Sequence, residues 1–183
     1  MEANGRIYNI NTDYRIALAC LKAINDDEIS DLERFYAVAT LLLGDNVLFE
    51  DEPILHEKIA LYLRCGAKEN TSSNEIDMDY LQDEVNIRTS IRQCYNGLDL
   101  NKIDYLHWYE YNELISGLTT DSLLNRIREL RSYDTSNIDD PKQLEKILKA
   151  KEYVALKKKP IKMTQEQQDS VNLVFKLAGI KKE

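Results

Sequence analysis

Residues 30–44 read SDLERFYAVATLLLG, and the fold class turns on them. Ser30 followed three positions later by Glu33 is a capping box: the hydroxyl accepts from a first-turn amide while the carboxylate reaches back to the amide of the cap residue. Leu32, Phe35, Tyr36, Ala39, Leu42 and Leu43 then recur at helical spacing until Gly44, a residue suited to the turn that ends a helix.

The same signs repeat outward in both directions. Toward the N-terminus, Asn11 and Thr12 are candidate caps for a helix carrying Tyr14, Leu18, Cys20, Leu21 and Ile24, and RIYNI at 6–10 alternates briefly, as a short strand or an extended arm would. Toward the C-terminus, Pro53 at a first-turn position opens a helix with Leu55, Ile59, Tyr62 and Leu63 on one side, closed by Gly66. KENTSSNE at 68–75 has no apolar anchor and reads as the main exposed loop, where proteolysis is expected.

Further helices are predicted over 77–95, over 104–116 with the single tryptophan, over 121–131, and from Asp140-Pro141 to about residue 156. Lys157, Lys158, Lys159 and Pro160 form a linker. Thr164 with Gln167 then caps a last helix whose Val171, Val174, Phe175 and Ala178 lie along one stripe. The expected fold is therefore all-α: a compact multi-helix domain at 1–156, with at most a short N-terminal strand pair, and a basic linker and C-terminal helical arm at 157–183. No internal repeat and no sustained heptad is present.

Charge divides the chain one helix earlier. Residues 1–140 hold 13 Lys and Arg against 27 Asp and Glu, a net of −14, whereas 141–183 hold 11 against 5, a net of +6. An acidic body repels the phosphate backbone, and the basic residues of the tail are all lysines, which lack the bidentate grip of arginine. No nucleic-acid partner is expected. With 43% hydrophobic residues the chain can bury a core. Its longest uncharged apolar run, from Ala37 to Leu43, is far short of the roughly 20 residues that span a bilayer. Met1, Glu2, Ala3 and Asn4 do not begin an export signal, so a cytosolic protein with no membrane partner is expected. Cys20, Cys65 and Cys94 are an odd, widely spaced set in apolar helical stretches, and they read as reduced core residues without an intrachain bridge.

Enzyme and metal motifs fail on inspection. His56 and His107 lack zinc-site spacing and the cysteines complete no ligand set. Single glycines at helix ends form no phosphate loop. Asp99, Asn101 and Glu110 fit calcium-loop positions one, three and twelve, but Ile103 and Asp104 stand where an oxygen ligand and a glycine belong. Asp26-Asp27 and Asp51-Glu52 lie beside helix N-termini, where the macrodipole already accounts for acid. No catalytic residue, metal or cofactor is expected.

The positive signal is aromatic. YLHWYEY at 105–111 places five rings in seven residues, more than one helix face can point at a core. On a continuous helix His107, Tyr111, Leu114 and Leu118 form one stripe, Trp108 and Ile115 widen it, and Tyr105 and Tyr109 fall on another side. Either the tyrosines line the rim of a small core or they form a second face buried at a protein contact, where Tyr and Trp are enriched. Tyr105, His107, Trp108, Tyr109 and Tyr111 are the candidate partner-binding residues, with Lys157, Lys158, Lys159, Val171, Val174 and Phe175 of the arm beside them.

These residues also carry a resemblance. Asp79-Tyr80, Gln93-Cys94-Tyr95, Leu98-Asp99-Leu100, Leu106-His107-Trp108, LISGL at 114–118 and Tyr153-Val154-Ala155-Leu156, preceded by INTDYR at 10–15, are similar to the phage gene-product-fifteen family of long-tailed phages infecting Gram-positive bacteria. Asn96-Gly97 and the polar stretch 68–75 depart from its pattern. The family's genes lie in the tail-morphogenesis region near the tape-measure gene. The resemblance therefore implies a tail-assembly chaperone in the host cytoplasm that coats the tape measure protein, binds other tail proteins or other copies of itself, and brings no enzymatic residues. A structural tail-completion or connector protein of the virion is the alternative; an enzyme or host-directed regulator is a second.

Overall fold

The computed structural model describes residues 1–67 and 76–157. Seven α-helices lie within them: α1 (Tyr14–Ile24), α2 (Asp31–Leu43), α3 (Glu52–Leu63), α4 (Glu84–Cys94), α5 (Trp108–Ser116), α6 (Leu123–Ser132) and α7 (Pro141–Val154), with short 3-10 turns at Phe49–Asp51 and Leu100–Lys102. One two-stranded antiparallel hairpin, β1 (Glu2–Ala3) with β2 (Arg6–Ile7), precedes them. The all-α expectation with a short N-terminal strand pair holds.

The capping box is formed: Glu33 donates its amide to the Ser30 hydroxyl at 3.3 Å, and its carboxylate accepts from the Ser30 amide at 2.8 Å. Gly44 ends α2 with φ at 85°, a conformation that costs glycine little. The helix packs chiefly against α1. Small residues make that approach close: Ala17, Cys20 and Ala39 are fully buried between the two helices, with Leu42 beside them. Burial pushes the Cys20 thiol up to about 12, which suppresses the thiolate that oxidation requires. All three cysteines are free thiols. Cys65 is not helical as predicted; with φ at 53° it occupies, with Gly66, the left-handed turn just past α3.

Three predicted boundaries move. The cap of α1 is Asp13, whose carboxylate accepts from the Arg15 amide at 2.8 Å, and neither Asn11 nor Thr12 caps it. The helix predicted from residue 77 begins at Glu84. Before it, the Asp79 carboxylate takes the amides of Leu81 and Gln82, while Asp83 accepts from the Asp79 amide. These local bonds offer the backbone an alternative to helix. The helix predicted from residue 104 begins at Trp108, because His107 before it is extended and bridged to Asp13 at the entry to α1.

The N-terminal hairpin explains one acidic pair differently from the macrodipole. Asn4 and Gly5, both with positive φ, make the tight turn that such hairpins favour. That turn brings Asn4, Arg6 and Tyr8 onto the carboxylate of Asp51, which is fully buried: Asn4 Nδ2 donates at 2.6 Å, Arg6 Nη1 at 2.9 Å and the Tyr8 hydroxyl at 2.5 Å. Asp51 sits at the cap position of α3 but makes no side-chain cap bond. The Tyr8 hydrogen bond first, then those of Asn4 and Arg6, outweigh burial and hold the Asp51 carboxyl below the ordinary carboxylate range. A depressed folded value contributes stability that is present above the unfolded value, near 3.9, and lost as pH falls through the folded one. Asp51→Asn should therefore lower the melting temperature at pH 7 and reduce its fall between pH 5 and pH 2. An acid unfolding profile superimposable on that of the unsubstituted protein would refute this role.

Candidate functional site

The aromatic segment 105–111 spans a corner, and the corner is built by a backbone clasp. The Tyr14 amide donates to the Leu106 carbonyl at 2.9 Å and the Trp108 amide to the Thr12 carbonyl at 2.8 Å. Arg15 reaches across the same junction, its guanidinium donating to the carbonyls of Leu100, Ile103 and Asp104. The chain turns into α5 at His107, whose Nδ1 accepts from the Tyr109 amide at 3.0 Å while Glu110 accepts from the His107 amide at 3.3 Å. This is a capping box with an imidazole in the place where a hydroxyl or carboxylate usually stands. The ring accepts through Nδ1, so the neutral form serves as the cap.

The corner sorts the five candidate residues. Trp108 and Tyr111 point inward and are 0% and 1% exposed. Tyr111 stacks between Tyr14, at 4.6 Å, and Trp108, at 5.7 Å, and Tyr80 closes the other side of the indole at 5.3 Å. These two are core side chains. Tyr105 is not on the helix at all; it is 54% exposed, with its hydroxyl 2.5 Å from that of Thr12. Tyr109, half-buried, stacks on Tyr62 at 5.5 Å and meets the His107 ring edge-on at 5.2 Å.

Tyr62 is the residue that the sequence pattern assigns only to the core. It is mostly buried, yet its hydroxyl has no hydrogen-bond partner, and burial raises the pKa of both Tyr62 and Tyr109. A buried hydroxyl without a partner costs about 1–3 kcal/mol in lost hydration, so a polar group that reached it would recover that cost. The surface is thus a row of rings, Tyr105, His107 and Tyr109, backed by the buried Tyr62, with the exposed carboxylates of Asp104, Glu110 and Glu113 on the same segment. Such a row can desolvate an apolar partner segment and select against acidic ones.

Elsewhere the described residues hold no group of three or more His, Cys, Asp or Glu side chains able to bind a metal, and no helix long and apolar enough to cross a membrane. Of the arm candidates, Lys157 is held at α4's approach by two bonds with the Gln82 side chain, at 2.7 and 3.2 Å. Lys158, Lys159, Val171, Val174 and Phe175 lie outside the described residues, as does the loop at 68–75.

The family model described as bacteriophage Gp15 protein matches residues 1–156. No curated protein and no solved structure matches the chain.

Proposed function

The chain belongs to the bacteriophage Gp15 protein family, and from that premise we propose that this phage structural or assembly protein is a non-catalytic tail-assembly chaperone which binds the tape measure protein through the ring surface at Tyr105 and Tyr109. The observation that carries the reading is that Tyr105 and Tyr109 are left over from the core, with the buried Tyr62 behind Tyr109. Of the segment's rings, Trp108 and Tyr111 are buried in the core, while Tyr105 is exposed and Tyr109 is half-buried over Tyr62, whose buried hydroxyl is unpaired. A chaperone of a long helical protein needs a surface that desolvates reversibly, and tyrosine is suited to such a surface because it offers apolar area, a polar tip and few rotamers to freeze. The acidic surround adds steering toward a neutral or basic segment. The chaperone works in the host cytoplasm and leaves before the particle is complete. A permanent tail component would instead be present in purified particles at fixed stoichiometry.

The surface is tested by separating stability from association. Tyr105→Ala and Tyr109→Ala should leave monomer stability within about 1 kcal/mol and weaken binding to a tape measure fragment by about 1–3 kcal/mol. Tyr62→Phe should fold as stably as the unsubstituted chain or slightly better, because it removes a buried hydroxyl that has no partner. Chemical denaturation and titration calorimetry on each variant give both quantities. Early melting of the Tyr105 and Tyr109 variants with unchanged binding would return both tyrosines to the core and end the proposal.

A further inference from the structure

The turn that enters α3 holds an apolar ring out in water. Phe49 is 70% exposed and Leu48 before it is exposed too, yet the backbone that carries them is held at several points. The Asp51 amide donates to the Leu48 carbonyl at 3.0 Å, Asn4 Nδ2 donates to the Glu50 carbonyl at 3.2 Å, and the Asp51 carboxylate is buried under the hairpin. An aromatic side chain on a backbone already ordered loses little entropy on binding, which suits it to anchor a protein contact. At the opposite end of α3 lies a mainly apolar cleft of ≈ 650 Å³, lined by Leu21, Ile24, Ala60, Leu63 and Cys65, with Arg64 as its charged residue. A benzene-sized group needs only about 150 Å³, so the cleft has room for a phenyl ring and a neighbour.

We propose that the cleft receives Phe49 of a second copy of this chain, with that copy's Glu50 against Arg64. The two surfaces cannot meet within one chain: Glu52–Leu63 separates them by 12 helical residues, roughly 18 Å at 1.5 Å per residue. Charge selects the pairing. Residues 1–140 carry a net of −14, so two copies repel in most orientations, whereas the cleft joins an apolar surface to a cation. Phe49 is its complement, an exposed ring followed by Glu50, whose carboxylate meets Arg6 only at 3.6 Å and has a second oxygen to offer. Ring and cleft are different patches of one molecule, so the contact is heterologous: each copy gives Phe49 to one neighbour and takes that of another, in an open row or a closed ring. Neither Tyr105 nor Tyr109 takes part, so the inference does not rest on the tape measure reading.

Sedimentation velocity of the full-length protein, from micromolar concentrations up to ~0.3 mM, should show association that grows with concentration, as expected of so small a contact. Phe49→Ala should weaken it on the order of 30-fold, the loss of one anchor side chain, and Arg64→Glu about tenfold or more. Both side chains are exposed, so thermal melting should find both variants as well folded as the unsubstituted protein. An equimolar mixture decides the geometry. Arg64→Glu keeps its Phe49 and Phe49→Ala keeps its cleft, so the mixture should form dimers that grow no further. Three outcomes would overturn the proposal: a monomer at every concentration, which would leave the cleft to another occupant; either variant associating like the unsubstituted protein; or a mixture no larger than its two components.

Discussion

Trp108→Ala should destabilise the protein by about 3–5 kcal/mol, the range for removing a large aromatic side chain from a closed core. For a chain of this length each kcal/mol shifts the midpoint by about 2–4 °C, so the melting temperature should fall on the order of 10 °C or more. Trp108 is fully buried among Tyr111 and Tyr80, and its indole Nε1 donates to the Leu63 carbonyl at 3.1 Å in the last turn of α3. The ring thus joins α5 to α3 by area and by a directed bond. Trp108→Phe separates the two contributions. It retains most of the apolar area, loses the hydrogen bond and leaves a carbonyl less well satisfied, so a loss of about 1–2 kcal/mol is expected. Urea denaturation of both variants measures this. A Trp108→Ala variant within about 1 kcal/mol of the unsubstituted protein would mean that α5 is not anchored through the indole.

How much of this was legible in the sequence depends on how local the causes are. The capping box of α2, the proline at the start of α3, the Asp140-Pro141 entry to α7 and the buried stripe Leu55, Ile59, Tyr62 and Leu63 all follow from neighbours within a few positions, and all are found. The boundaries that moved were decided elsewhere. Residues 104–107 stay out of the helix because Thr12 and Tyr14, some 90 residues earlier, offer backbone partners to Trp108 and Leu106. His107 could not be read as a cap, since an imidazole there works only once the chain has been bent to meet it. The helical wheel that grouped Tyr105 with Tyr109 therefore described a helix that does not exist over Tyr105, although the separation of both from Trp108 survives for a different reason. Tyr62 was hidden in plain sight: its place on an apolar stripe is correct, and only the three-dimensional meeting with Tyr109 shows that its hydroxyl is stranded.

The segments that carry the family resemblance turn out to be those that hold one another. INTDYR is clasped to LHW by the bonds of Tyr14 and Trp108, and its Arg15 binds the carbonyl of Leu100 in LDL. Tyr95, at the end of QCY, donates to the Leu114 carbonyl in LISGL at 2.9 Å. Its hydroxyl lies so near Gly117 that a Cβ there would meet it at 2.5 Å, so a larger residue would have to displace the Tyr95 hydroxyl, whereas the φ of −85° itself asks for no glycine. Val154, in YVAL, receives the Nε of Arg131. Motifs scattered along the chain thereby converge on three junctions: one at the entry to α1 and α5, a second where α4, α6 and α7 meet, and a third where the C-terminal ends of α4 and α5 meet.

That second junction should be the other point at which a single substitution does most damage. Arg131→Ala is expected to cost about 3–5 kcal/mol, because it removes one member of a buried ion pair and leaves the other charged and desolvated. Asp83 is 1% exposed and receives Arg131 at 2.7 and 2.9 Å, together with Asn86 Nδ2 and the Asp79 amide. Burial alone would raise the Asp83 carboxyl; the Arg131 hydrogen bonds, followed by those of Asp79 and Asn86, reverse this and hold it below its ordinary value. Its contribution to stability is accordingly present above the unfolded carboxylate value and lost as pH falls through the folded one. Arg131 also donates to the carbonyls of Asp77 and Val154, and α7 has no fully buried residue of its own. The same substitution should therefore speed amide exchange across 141–154 beyond what global destabilisation explains. Arg131→Lys should fail almost as badly, since one ammonium cannot serve Asp83, Asp77 and Val154 in three directions. Replacing both partners, as Asp83→Leu with Arg131→Leu, should recover much of the loss, because no charge is then stranded. If the double variant is no more stable than Arg131→Ala, the pair is not acting as a coupled buried unit, and the tether from Arg131 to α7 must account for the whole effect.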